Sequence, residues 1–255
     1  MPTFKITVAY DGGPFVGWQR QTNGTSVQGL IEDALRTLDD RDVTVHGAGR
    51  TDAGVHALVH VASFTLRRDI TAAVVQRALN NHLPDAVRIV SAEDAPASFH
   101  ARFGAKSKTY RYRIWNADVA SPFQQSHAWF VRGALALDAM QAAARPLEGR
   151  HDFAAFQAAD GTQRTTEREV FASRLVAEAD DSGVPGRSSG RLITYEISGN
   201  GFLRHMVRTI AGSLVEVGSG RRGSEWMSEV IASRDRTGAG PTAPAHGLFL
   251  VRVDY

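Results

Sequence analysis

The segment G-A-G-R-T-D-A-G-V-H-A, Gly47 to Ala57, holds the residues best placed to do chemistry. Three glycines within eight residues let the backbone turn tightly and approach a ligand. Arg50, Thr51 and Asp52 sit between them, directly after an apolar run at Val43 and Val45 and before another at Val59 and Val61. An aspartate between glycines is most simply a turn residue that bonds its own backbone. Arg50 two positions away, and the strands expected on either side, favour a second reading. The loop then sits at the rim of a sheet, and a guanidinium keeps its carboxylate ionised for nucleophilic work.

Composition narrows the chemistry. The 255 residues contain no cysteine, which excludes disulfides, thiolate metal sites and cysteine nucleophiles. Hydrophobic residues make up 43% and charged residues 22%, values of an ordinary globular chain. The start, MPTFKITVAYDGG, lacks the basic and apolar regions of a signal peptide. No run reaches the ~18 apolar residues of a membrane span. Together these suggest a cytoplasmic protein. Of 29 basic residues only Lys5, Lys106 and Lys108 are lysines, and the other 26 are arginines. Guanidinium forks suit phosphates and stack on bases, so RNA or another polyanion is the expected partner.

The elements that must position the loop can be read from periodicity. Phe4, Ile6, Val8 and Tyr10 alternate as a strand. Thr25 and Gln28 have capping-box spacing ahead of a helix marked by Val27, Leu30, Ile31, Ala34, Leu35 and Leu38. A second strand opens at Val43. A third alternates Val59, Val61, Ser63 and Thr65 against Leu58, Ala62, Phe64 and Leu66. The pattern continues with a helix over 71–83 and a strand over 87–91. Residues 108–115 alternate sharply, with Tyr110, Tyr112 and Ile114 on one face and Thr109, Arg111 and Arg113 on the other. Helices are expected near 138–147, over 201–217 and from Ser224. Strands are expected over 168–178, 191–198 and 247–255. Such mixing without strict alternation indicates an α+β fold with largely antiparallel sheet. A boundary near 105 divides it into 1–105, carrying the aspartate loop, and 106–255, carrying the tyrosine strand and a basic helix. The stretch 180–191 reads as a polar loop.

On the predicted helix over 201–217, Arg204 and Arg208 lie four apart and share a face, opposite Leu203, Val207, Ile210 and Leu214. Other signals are weaker. Gly218, Gly220 and Gly223 spell G-x-G-x-x-G, but a helical pattern precedes them, so a helix C-cap is the better reading. His56 and His60 lack the glutamate of a metalloprotease motif. His46, His100, His151 and His246 are scattered. Asp11, in a YDGG turn, reads as structural. No metal site is expected.

Several long segments together resemble one family. GRTDAGVHA is similar to the catalytic motif of pseudouridine synthases of the tRNA pseudouridine synthase A family. YDGGPFVGWQRQ with SVQGLIEDAL, ALNNHLP, FHARFGAKSKTYRYRIWN, GRHDFAAF, NGFLRHMVRTIAGSLVEVG and HGLFLVRVDY match it in order along nearly the whole chain. The resemblance implies two similar α/β halves around a central basic cleft. It implies an enzyme that detaches uracil from ribose at N1, turns it and rejoins it through C5, at positions 38, 39 and/or 40 of the tRNA anticodon stem-loop. It assigns the nucleophile to Asp52, the basic motif residue to Arg208 and the active-site tyrosine to Tyr110. Arg50, Thr51 and Arg204 are expected at the substrate. Arg20, Lys106, Lys108, Arg111 and Arg113 are candidates for a basic RNA track, with Arg164 among further ones. No cofactor is implied, and a homodimer is. The alternatives are a non-catalytic tRNA-binding protein and a carboxylate-dependent nucleoside hydrolase, which would release free uracil or sugar.

Overall fold

The computed structural model describes residues 1–159, 161, 165–179 and 190–255. In chain order the elements are β1 (Thr3–Tyr10), α1 (Val27–Asp39), β2 (His46–Gly47), β3 (His56–Thr65), α2 (Ala72–His82), β4 (Val87–Ala95), β5 (Ser107–Asn116) and β6 (Trp129–Val131). There follow α3 (Leu137–Ala144), β7 (Gly149–Asp152), β8 (Glu167–Ala179), β9 (Arg191–Gly199), α4 (Met206–Gly218), α5 (Trp226–Ser233) and β10 (Leu248–Asp254). Among the described residues no helix is long and apolar enough to cross a membrane. The loop expected at 180–191 falls outside the described residues except for its last two, and so does Arg164.

The chain forms two compact units, Met1–Lys108 with Phe249–Tyr255, and Thr109–Leu248. The expected division at 105 therefore needs one correction: the C-terminal segment belongs to the first unit. Its strand β10 lies parallel to β3, with Phe249 opposite His56 and Leu250 opposite Ala57. The Tyr255 hydroxyl then donates to the Ala101 carbonyl at 2.7 Å.

In the first unit the strand order is β4-β1-β3-β10, with β2 on β3. β1 runs antiparallel to both β3 and β4. Alternation in β1 does what its sequence predicts: Phe4, Ile6, Val8 and Tyr10 are all buried. β3 departs from simple alternation, because His60, Val61, Ala62, Ser63 and Phe64 are all buried, as befits a strand covered on both faces. The second strand is only two residues long. The cap of α1 is Ser26, whose hydroxyl accepts the Gly29 N–H at 3.2 Å. Thr25 instead uses its carbonyl to accept the Val16 N–H at 3.0 Å. The expected Thr25–Gln28 box therefore does not form: Ser26 caps alone, since Gly29 has no side chain to return the bond, and the Gln28 side chain instead ties the Arg20 N–H and the Val45 carbonyl together.

In the second unit the order is β5-β9-β8-β7, with β6 parallel to β5. β8 is antiparallel to both β7 and β9. α3 packs on α4 and on β8. β6 and β7 are too short to leave a periodic signal. α4 starts at Met206, later than its sequence pattern, because His205 takes a left-handed φ of 63°. It is buried nearly all round, so its core face is wider than the predicted stripe.

Candidate active site

The Asp52 loop is held from two sides by the glycine-rich segment that follows β1. On one side Trp18 donates its N–H to the Thr51 carbonyl at 3.1 Å, and Gly17 forms a backbone bridge with Asp52. The carbonyls of Gly17 and Trp18 in turn accept the N–H groups of Val27 and Gln28 at the start of α1. Gly17 has φ of +112°, and a Cβ there would lie 2.5 Å from the Thr51 oxygen, so only glycine fits. On the other side Gly12 donates to His56 Nδ1 at 3.0 Å, and a Cβ on Gly12 would lie 2.1 Å from the Val55 oxygen. The segment YDGGPFVGW is therefore a clamp on residues 51–56. Asp11 has the turn role expected of it, accepting the Gly13 N–H at 2.9 Å.

Beneath the loop lies a buried polar cluster. The Tyr10 hydroxyl is 2.8 Å from Thr51 Oγ1 and 2.9 Å from His60 Nδ1. The His60 ring stacks on the Trp18 indole, with centroids 3.7 Å apart and planes 20° apart. Complete burial, with the Lys108 charge nearby, pushes the His60 pKa down to about 3, so the ring is neutral at physiological pH. Among the described residues its Nε2 has no hydrogen-bond partner.

Burial grades across the loop. Thr51 and Val55 are buried, Asp52 is half-buried and Arg50 is exposed. A carboxylate on a fixed backbone at the edge of a core is what nucleophilic use requires: partial desolvation, defined direction and access. Thr51, expected at the substrate, is only 7% exposed, and its hydroxyl is turned inward to Tyr10. Its part is to hold the loop. Lys108, expected only as an RNA contact, has its aliphatic stem beside Gly49 in the same loop.

The second unit positions the other expected residues. Tyr110 on β5 is buried and meets Phe202 edge to face, with centroids 5.2 Å apart. Tyr112 is core, as its alternation suggests, and donates to the Pro244 carbonyl at 2.7 Å. Burial raises its pKa, opposed by the Arg208 charge. Arg208 lies in the first turn of α4, half-buried. Its Nε donates to the Ala243 carbonyl at 2.8 Å, while its own carbonyl accepts the Ala243 N–H at 3.1 Å. His246, whose pKa is lowered by burial and then by His127 and Arg208, stands close to it. Arg204 is not on the helix with Arg208. It occupies the exposed turn before His205, so the shared helical face predicted for the pair does not form.

The remaining RNA candidates differ in what already engages them. Arg20 is bound to Glu32 at 2.9 Å and Asp33 at 2.7 Å on α1. Arg111 is bound to Glu196 at 2.7 Å. Arg113 donates to Gln124 at 3.1 Å, and burial, then the Arg111 charge, lowers its pKa. Lys106 is exposed. Tyr10, Trp18 and His60 were not legible as site residues, because their partners are 41 or more positions away for Tyr10 and 42 for Trp18 on His60.

The family described as tRNA pseudouridine synthase matches residues 6–104 and 143–255. The chain is 44% identical to tRNA pseudouridine synthase A of Pelobacter propionicus, over 100% of both chains. It is 43% identical to the protein of the same name from Ruminiclostridium cellulolyticum, again over 100% of both. A third relative of that name, from Myxococcus xanthus, is 43% identical over 100% of this chain and 92% of its own.

Proposed function

This chain belongs to the tRNA pseudouridine synthase family, and we propose that it converts uridine to pseudouridine in tRNA with Asp52 as the nucleophile. The observation that carries the role of Asp52 is the clamp: its backbone is bridged to Gly17 while its side chain is only half-buried. The reaction is an isomerisation. The N1–C1′ bond breaks, a C5–C1′ bond forms, the C5 proton leaves and N1 gains a proton. The carboxylate attacks either C1′ or C6 and is regenerated, so no outside oxidant or reductant is needed. Tyr110 takes the uracil ring, and Arg208 supplies the family's basic residue. Arg50 and Arg204, both exposed, take the RNA backbone.

On the same resemblance the target lies at positions 38, 39 and/or 40 of the anticodon stem-loop. The enzyme works without cofactor as a homodimer in the cytoplasm. Neighbouring target positions imply recognition by RNA shape more than by base edges. The uridine must leave its stack, which costs a few kcal/mol, offset by phosphate contacts and by stacking on an aromatic ring.

The test uses a tRNA transcript labelled with tritium at uridine C5. Wild-type protein is expected to release tritium and leave the RNA mass unchanged. Asp52→Asn should release none while still binding the transcript. Undiminished release by Asp52→Asn would overturn the assignment. Free uracil in the products would favour a hydrolase.

A further inference from the structure

Three aromatic rings converge in the first unit: His46, just ahead of the Asp52 segment, and His100 and Phe103, beyond β4. His46 and His100 have ring centroids 4.5 Å apart, and His100 and Phe103 have centroids 4.4 Å apart. The ladder ends on Phe103, which is 77% exposed. The Arg102 guanidinium lies 5.6 Å over that ring. Arg102 makes no ion pair among the described residues, whereas Arg20, Arg36, Arg41, Arg68 and Arg88 of the same unit each hold a carboxylate.

The exposed ring does not sit on a loose loop. His100 Nδ1 accepts the N–H groups of Arg102 at 3.1 Å and Phe103 at 3.4 Å. The plane of the ring is thus set by its own backbone. Ala101 donates to the buried Ser63 hydroxyl at 3.1 Å, and its carbonyl takes the Tyr255 hydroxyl. Gly104 N–H closes the turn onto the His100 carbonyl at 2.9 Å. At the other end of the ladder, His46 and His100 border a cavity of about 360 Å³ whose lining includes Arg41, Ser63 and Phe99.

The exposed Phe103 ring is thus held in place, with a guanidinium over it that makes no ion pair among the described residues. What satisfies both groups is a partner with a flat π face next to a negative charge. A nucleotide has that form: the base stacks on Phe103 and its phosphate meets Arg102. A second copy of this chain is the competing occupant, and the sedimentation and leucine arms of the test below separate it from a nucleotide. We infer that Phe103, Arg102 and His100 form a stacking platform for an unpaired nucleotide of the RNA substrate, separate from the nucleotide that is isomerised. This rests on the tRNA reading above.

The experiment measures binding of an unmodified tRNA transcript by fluorescence polarisation. Wild-type protein is compared with Phe103→Ala, Phe103→Leu, Phe103→Trp and Arg102→Ala, all checked for the wild-type melting temperature. Phe103→Ala and Phe103→Leu should weaken binding roughly ten-fold, the scale of one base–aromatic stack. Phe103→Trp should restore it. Arg102→Ala should weaken it and flatten its salt dependence. A photo-crosslinking p-benzoylphenylalanine at position 103 should attach to an unpaired nucleotide other than the target. The inference falls if Phe103→Ala binds as tightly as wild type. It also falls if Phe103→Leu binds like wild type, or if Phe103→Ala changes only the oligomeric mass in sedimentation, which would make the ring an apolar contact between copies. Wild-type protein that binds no tRNA would overturn both this inference and the function proposed above. Wild-type protein that isomerises tRNA while Phe103→Ala binds normally overturns this inference alone.

Discussion

Replacing Tyr10 with phenylalanine isolates the hydroxyl beneath the Asp52 loop. The ring remains, so its packing 6.1 Å from Trp18 and 5.8 Å from His60 is retained. What goes is one oxygen that serves Thr51 Oγ1 at 2.8 Å and His60 Nδ1 at 2.9 Å. Tyr10 and Thr51 are 5% and 7% exposed and His60 is fully buried, so water cannot replace that oxygen without rearrangement. His60 is the worse placed, since its Nε2 already lacks a partner among the described residues. Each buried polar group left unpaired costs about 1–3 kcal/mol, so the pair predicts about 2–6 kcal/mol lost in urea unfolding. The effect on rate follows from position. Thr51 precedes Asp52, and its carbonyl is the acceptor for Trp18. Loosening Thr51 releases the carboxylate's direction, and misplacement by ~1 Å can cost about a hundred-fold. Single-turnover tritium release should therefore fall about ten- to a hundred-fold, with tRNA affinity within two-fold, because Tyr10 is buried. Thr51→Val removes the other half of the bond, and the double variant should cost less than the two single losses together, by at least about 1 kcal/mol. Unchanged unfolding and unchanged rate would refute the reasoning. A loss confined to affinity would place the hydroxyl at the substrate instead.

Two further outcomes test the same loop. Gly17→Ala puts a Cβ 2.5 Å from the Thr51 oxygen at a φ of +112°, whereas Gly220→Ala, with φ +73° and nothing within 4 Å, meets only backbone strain. Gly220→Ala should lose about 1 kcal/mol in thermal unfolding, and Gly17→Ala clearly more, together with most of the isomerisation rate; equal effects would show that the clamp is not tight. His60, with a folded pKa of about 3 against an ordinary 6.5, stays neutral in the folded protein while the unfolded chain takes up a proton. Stability that is complete above pH 6.5 should thus fall as pH drops toward 3, by up to about 1.4 kcal/mol per pH unit from this residue. His46 and His246, also lowered chiefly by burial, contribute with the same sign. His60→Gln, whose amide oxygen can still accept from Tyr10, should flatten the slope by about one proton; an unchanged slope would mean that His60 is not buried neutral.

How far the sequence reveals the molecule depends on whether a feature is periodic. β1 and the buried face of β5 follow their alternation residue by residue, because one face of each meets a core. The Asp52 loop was visible for a related reason: glycines mark where backbone must come close, and Gly12 and Gly17 do approach Val55 and Thr51. Where a single residue breaks a period, the sequence misleads. The left-handed His205 ends the helical pattern before Arg204 and so separates it from Arg208. Ser26 and Thr25 are both good caps, and the choice falls to Ser26 because the Thr25 carbonyl closes the preceding turn onto Val16.

Contacts across the chain leave no periodic trace at all. Tyr10 alternates like any strand residue, and its hydroxyl is indistinguishable in sequence from one that points at solvent. Only the antiparallel pairing of β1 with β3, with Val8 opposite His60 and Tyr10 opposite Ala57, brings that hydroxyl to His60. The same holds for the His46–His100–Phe103 ladder, where the short β2 strand sets His46 opposite Ser63, the residue that also anchors Ala101. The nucleophile can thus be found from local residue types. The groups that aim it can be found only once the register of the sheet is known, which is why Tyr10 and His60, rather than Asp52, are where substitution tests the structure and not merely the motif.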